Sequence, residues 1–199
     1  DENNYMTPRP VTITAVEDGD IADENVTLTV FGVGGAPDRQ ITVAVVDNDT
    51  QSIVVSTNQV NVDEDLTTVF EVSLSADPVS PTSVFIESSD AGAASISPAT
   101  LNFDSTNWNI PQLVTVTGVD DDDTADENVT LTLSSVIAPN VTVNVDVNDP
   151  DTQALVTNAL TFDIDEQGVA TLTVRLAFNP VNQTTVTINS ADPGAVAVN

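Results

Sequence analysis

The chain has no cysteine, no histidine and no lysine, and its cationic side chains are three arginines, Arg9, Arg39 and Arg175. Without cysteine there is neither a disulfide nor a thiolate metal site. Without histidine the usual zinc sites and His-dependent catalytic triads are excluded. Catalysis would be left to carboxylates and hydroxyls. No stretch approaches the roughly 20 apolar residues of a membrane span, and Asp1 does not open a signal peptide, so we expect a soluble segment with any targeting signal outside it.

What the chain does have is acid. Thirty-one Asp and Glu residues against three arginines give 199 residues a formal net charge of −28, while 40% hydrophobic content suffices for folded cores. Such a surface repels nucleic acid and anionic membranes and attracts cations. Asp120–Asp123 is a run of four carboxylates. Neighbours about 4 Å apart repel by about 1 kcal/mol per pair even in water, so the run requires solvent, salt or bound cations.

Self-similarity organises the sequence. Pro8–Val30 (PRPVTITAVEDGDIADENVTLTV) aligns without a gap with Pro111–Leu133 (PQLVTVTGVDDDDTADENVTLTL) at an offset of 103. Asp49–Asp65 aligns with Asp151–Gln167 at an offset of 102. A period of about 102 residues is that of an immunoglobulin-like β-sandwich. Residues 50–151 make one complete unit, 1–49 read as the C-terminal half of a preceding unit, and 152–199 as the N-terminal half of the next. Two organisations follow: an excerpt from a longer tandem array, or a subunit that polymerises head to tail as each C-terminal half-sandwich is completed by strands of the next subunit.

Period-2 alternation with β-branched residues dominates each unit, so the expected fold is all-β: tandem immunoglobulin-like antiparallel Greek-key sandwiches of about seven strands. In the complete unit the strands are expected in two pieces across Ser52–Val62, then at Thr68–Ser75, Thr82–Ser88, near Thr100–Phe103, Gln112–Val119, Asn128–Ser135 and Asn140–Val147. Alternate connections then fall at alternate ends of the sandwich. One end collects Asp63, Glu64, Asp65, Asp90, Asp120–Asp123, Asp126, Glu127, Asp149 and Asp151; the other receives Asp77 and Asp104. An oxygen-only cluster gathered from several loops suits a hard cation, and Ca2+, with its six to eight ligands in flexible geometry, suits it better than Mg2+. The competing reading is a solvated acidic surface. No EF-hand spacing occurs.

Three stretches carry a family resemblance: VDED (Val62–Asp65), GVDDDDTADENVTLTL (Gly118–Leu133) and VTVNVDVNDPD (Val141–Asp151). They resemble the Calx-beta domain, found in the regulatory region of sodium–calcium exchangers and in large bacterial surface proteins. LNFDSTNWNIPQLVTVTG (Leu101–Gly118) is similar to variants in repetitive secreted proteins. The resemblance implies calcium ligation by Glu64, Asp120, Asp121, Asp122, Glu127, Asp149 and Asp151, by the matching Asp18, Asp20, Asp23, Glu24, Asp47 and Asp49 of the preceding half-unit, and by Glu166 of the following one. The neighbouring Asp126 belongs to the same candidate set. The family commonly has an aspartate followed by an aromatic late in the connection after the third strand, where this chain reads AGAASIS (Ala91–Ser97); Asp90 is the candidate substitute.

The acidic end is also where the chain leaves for the next unit, so calcium there would brace the junction. The expected function is a calcium-stiffened repeat of an extracellular adhesin or surface stalk. Its expected partners are neighbouring repeats or identical subunits, with a cell-surface or matrix ligand elsewhere in the full protein, and neither nucleic acid nor membrane insertion. The alternatives are a filament or sheath subunit and a calcium-sensing regulatory module. An enzyme is disfavoured, because repetition serves length and spacing and crowded exposed carboxylates do not make an acid–base pair. Trp108, aligned with Tyr5, is expected to plug the end of the core. The Asn-x-Thr triplets are expected by chance in a chain this rich in Asn and Thr, and the Thr-x-Thr stripes are expected to be the solvent side of the sheets.

Overall fold

The computed structural model describes residues 6–198; Tyr5 lies outside them. Every regular element among the described residues is a β-strand. The first half-unit carries β1 (Glu24–Val30) and β2 (Arg39–Val45). The complete unit carries β3 (Ile53–Val55), β4 (Gln59–Asp63), β5 (Thr67–Leu74), β6 (Thr82–Ser88), β7 (Ala94–Ser97), β8 (Thr100–Phe103), β9 (Gln112–Gly118), β10 (Glu127–Ser134) and β11 (Val141–Asn148). The last half-unit carries β12 (Leu155–Thr157) and β13 (Val174–Leu176).

In the complete unit one sheet runs β3-β5-β9-β7 and the other β4-β11-β10-β6-β8. The alternating sequence explains why they face each other. Val129, Leu131 and Leu133 of β10 pair across to Val145, Val143 and Val141 of β11. All but the half-buried Val141 lie in the core, while the intervening threonines and asparagines turn outward. Val72, Val84, Ala94, Val114 and Val116 fill the core from the other strands, and Phe70 and Phe103 are its largest fully buried side chains. Trp108 packs against this cluster from its rim, and its carbonyl accepts the Leu74 N–H at 2.8 Å.

Both edge paths change sheets midway. β3 pairs antiparallel with β5, and after Ser56–Asn58 the chain continues as β4, parallel to β11. The region expected to hold one strand near Thr100–Phe103 is divided in the same way. β7 pairs with β9 and β8 pairs with β6. Pro98 falls between them, where the missing N–H interrupts a ladder. The two sheets are thereby joined along both flanks, as strands that switch sheets join the corners of a sandwich.

The half-units keep the same registers. Glu24 pairs with Val45 as Glu127 pairs with Val147, and Leu155 pairs with Leu176 as Ile53 pairs with Leu74. Their apolar faces are open, however: Val26 and Ile41 are each 46% exposed, whereas Val129, the counterpart of Val26, is 2% exposed. Leu131→Ala should therefore cost about 2–5 kcal/mol through a core cavity. Leu28→Ala, at the equivalent position of the open half-unit, should leave the main transition nearly unchanged. Thermal unfolding of the two variants beside the parent chain measures the contrast.

Candidate metal centre

The acidic end is assembled by backbone contacts between chain segments that are distant in sequence. The corner Asp63–Leu66 follows β4. There the Glu64 N–H donates to the carbonyl of Asn148 at 3.1 Å, the Asp65 N–H to that of Gly118 at 3.2 Å, and the Gly118 N–H to that of Leu66 at 3.1 Å. Asp65 sits in the left-handed region at φ 59. Gly118 is required by this approach, because a Cβ there would lie 2.6 Å from the Asp63 carbonyl oxygen. Wedged between the ends of β9 and β11, Glu64 is 4% exposed.

The loop between β9 and β10 supplies the facing wall. The Asp123 N–H donates to Asp121 Oδ1 at 2.7 Å and the Ala125 N–H to Asp123 Oδ1 at 2.7 Å, so two successive Asx turns fold the run. At the exit of β11 the Asp149 N–H donates to Asp126 Oδ1 at 2.9 Å, and the Asp151 N–H to Asp149 Oδ1 at 2.5 Å. One oxygen each of Asp121, Asp123 and Asp149 thus orders the backbone.

Carboxylate oxygens of Glu64, Asp121 and Asp149 lie within 4.8 Å of one another, as do those of Asp121, Asp123 and Glu127. Two oxygens on one hard cation at about 2.4 Å can be no more than about 4.8 Å apart, so the spacing fits a shared ion. Glu64 Oε1, Glu127 Oε2 and Asp149 Oδ2 are buried and meet no hydrogen-bond donor. A buried, uncompensated carboxylate costs on the order of several kcal/mol, and the charges that act on Glu64 and Glu127 are further carboxylates. Burial, then the charges of Asp149, Asp121, Asp120 and Glu127, pushes the Glu64 carboxyl up to about 7. Glu127 is raised by burial and by Asp121, Asp123, Asp149 and Asp126. Asp151 is raised by partial desolvation and by Asp149, Asp120 and Asp121. The clusters can hold a metal ion, and the orphaned oxygens are the groups an ion would satisfy.

The other candidates from the sequence have different surroundings. Asp120 acts on Glu64 and Asp151 through its charge but stands outside both clusters. Asp122 is exposed and also outside them. Asp126 directs its carboxylate to the Asp149 N–H, and Asp90 turns its own onto the Gly92 N–H at 2.8 Å. In the first half-unit Asp18, Asp20, Glu24 and Asp47 form a cluster within 4.8 Å, and partial desolvation followed by Asp18, Asp20 and Asp47 raises Glu24. Asp23 accepts from the Asp47 N–H, as Asp126 does from Asp149, and the Asp49 N–H donates to Asp47. Glu166 is exposed, on a corner whose Gln167 repeats the left-handed conformation of Asp65 at φ 66. Asp123 is the clustered residue that the sequence reading did not single out. The signal was present, since the alignment places Asp18, Gly19 and Asp20 on Asp121, Asp122 and Asp123.

No protein-family model matches the chain, and no curated protein matches it. Solved structures are similar to parts of it. Domains 4 and 5 of the S-layer protein SbsC share 25% identity at a TM-score of 0.40, over 55% of this chain and 59% of that one. Cadherin domains 1–4 of protocadherin gamma B7 share 17% at a TM-score of 0.37, over 79% of this chain and 41% of that one. The CupB2 chaperone of Pseudomonas aeruginosa shares 13% at a TM-score of 0.37, over 48% of this chain and 55% of that one. Likenesses this distant identify neither a family nor a function.

The raised Glu64 carboxyl gives the metal-free chain a pH dependence of definite sign. Between the ordinary value of 4.5 and about 7 the folded state keeps a proton that the unfolded chain has released. Stability therefore falls as pH rises through that window and levels off above it. Thermal unfolding in chelator should show this decline, and Glu64→Gln, which stays neutral, should flatten it.

Proposed function

We propose that the chain is a calcium-binding structural segment of Calx-beta type, part of an extracellular adhesin or surface stalk in which Ca2+ at the acidic end of each sandwich braces the step to the next. The observation that carries this reading is Glu64, buried with Oε1 unpartnered and with a carboxylate oxygen within 4.8 Å of oxygens of Asp121 and Asp149. Glu64, Asp121, Asp123, Glu127 and Asp149 would hold the ion, with Asp151 at the exit. An all-oxygen, multi-carboxylate donor set favours Ca2+ over softer metals. The ion would neutralise the mutual repulsion of the loop and fix it against the chain leaving β11. The equivalent Asp18, Asp20, Glu24 and Asp47 supply the same chemistry one repeat earlier. Extracellular fluid, where calcium is abundant, is the setting in which such a device would be filled.

A second reading is favoured by the open apolar faces of the half-units. Phe162, Ile164 and Leu172 of the last one are 42%, 46% and 41% exposed, and they line an open groove of about 500 Å³. In a filament or sheath, the first half-unit of a second copy would cover them, by strand complementation.

Small-angle scattering of the chain separates the possibilities. The stalk reading predicts a longer, less flexible particle in calcium than in chelator at every concentration. Filament assembly predicts particle mass that grows with concentration. Identical dimensions and flexibility in calcium and chelator would sink calcium stiffening.

A further inference from the structure

One contact between units occurs twice. At the corner after β5 the Asp77 N–H donates to the carbonyl of Gly19 at 2.9 Å, and in the last half-unit the Asn179 N–H donates to the carbonyl of Asp122 at 2.7 Å. Asp77 and Asn179 are equivalent at an offset of 102, and Gly19 and Asp122 at 103. Both acceptors stand between clustered carboxylates, Gly19 between Asp18 and Asp20 and Asp122 between Asp121 and Asp123. Asp20 and Asp77 also form a parallel β-bridge. The corner of one unit is thus seated on the acidic loop of the unit before it.

A glutamine sets each corner. Gln51, 6% exposed, lies just beyond Asp49. Its Nε2 donates to the Ala76 carbonyl at 2.8 Å, and its Oε1 accepts the N–H of Ala76 at 3.2 Å and of Ser52 at 3.1 Å. Gln153, just beyond Asp151, repeats the arrangement. Its Nε2 donates to the Phe178 carbonyl at 2.9 Å, and its Oε1 accepts the N–H groups of Ala154, Ala177 and Phe178 at 3.1, 3.1 and 3.2 Å. A primary amide carries both donor and acceptor, so one side chain can grip both backbone groups of the residue preceding Asp77 or Asn179. A proline follows each of those residues and fixes the turn. The contacts close a ring: acidic loop, exit of the last strand, linker, glutamine, corner, and back to the loop.

We propose that Gln51 with the Ala76–Asp77 corner, and Gln153 with the Phe178–Asn179 corner, form an interaction surface for a second copy of the repeat, a latch that seats each unit on the acidic loop of its predecessor. The inference rests on reading the chain as a tandem structural array and deepens it by naming the residues that define the junction. It does not require an ion, because both partners of each hydrogen bond between units are backbone groups. Gln51 and Gln153 are positioning residues: they act on the neighbouring unit through the corner they hold.

Amide hydrogen exchange of the full 199-residue chain, followed by NMR in calcium and in chelator, tests the latch. The Asp77 and Asn179 amides should exchange at least about tenfold more slowly than the same residues in the unfolded chain. Gln153→Ala, which leaves the complete unit's own core and strands intact, should accelerate Asn179 by at least about tenfold without loosening β10 or β11. Exchange of Asp77 and Asn179 at unfolded rates in the parent chain overturns the proposal, as does an Asn179 rate indifferent to Gln153→Ala. The calcium arm keeps the two readings apart. If the Asp121 and Asp123 resonances ignore calcium while Asp77 and Asn179 stay protected, the ion fails and the latch stands; calcium shifts with unprotected amides give the reverse.

Discussion

Glu64 is buried with a carboxylate oxygen that no donor meets, beside four other carboxylates that act on it and no cation among them. That unbalanced charge is the constraint on which the acidic end depends. Desolvation and like-charge repulsion act together, and a protein has two ways out: protonate the group or bind a cation. The raised Glu64 carboxyl is the first response. The spacing of Asp121 and Asp149 around it is the arrangement that permits the second.

The fold produces this constraint from ordinary ingredients. Strands that alternate valine or leucine with threonine must bury one face, so successive turns are sent to opposite ends of the sandwich. Acid placed in every second turn then converges. The sheet-switching path from β3 to β4 brings the Asp63–Leu66 corner down between β9 and β11, and the absent side chain of Gly118 lets it approach closely enough to bury Glu64. Without that approach the carboxylates would be a solvated rim, and water would satisfy them.

Much of this was legible in the sequence. The offsets of 103 and 102 carried the internal repeat and the equivalence of the two acidic loops. Alternation located β10 and β11 nearly to the residue. Less legible was anything decided by pairing across the sandwich. The small residues of Ala94–Ser97 carry little β-signal, yet an open edge beside β9 makes them a strand. Within Asp120–Asp123 four identical side chains offer no periodicity, and Asx turns determine that Asp121 and Asp123 join the cluster while Asp122 offers its backbone carbonyl to the next unit. Gln51 and Gln153 carry no charge signal, because their work is done by a neutral amide. The recurrence of Asp-Thr-Gln at both junctions was their trace.

In the proposed function the carboxylates gathered around Glu64 hold a calcium ion. Calorimetric titration of the full chain with calcium at neutral pH tests it directly, with Glu64→Gln as the comparison. Such a site gives saturable binding that releases protons, since Glu64 is partly protonated near its value of about 7, together with weaker binding and less proton release in the variant. No saturable heat at millimolar calcium, or binding identical in Glu64→Gln, would contradict it.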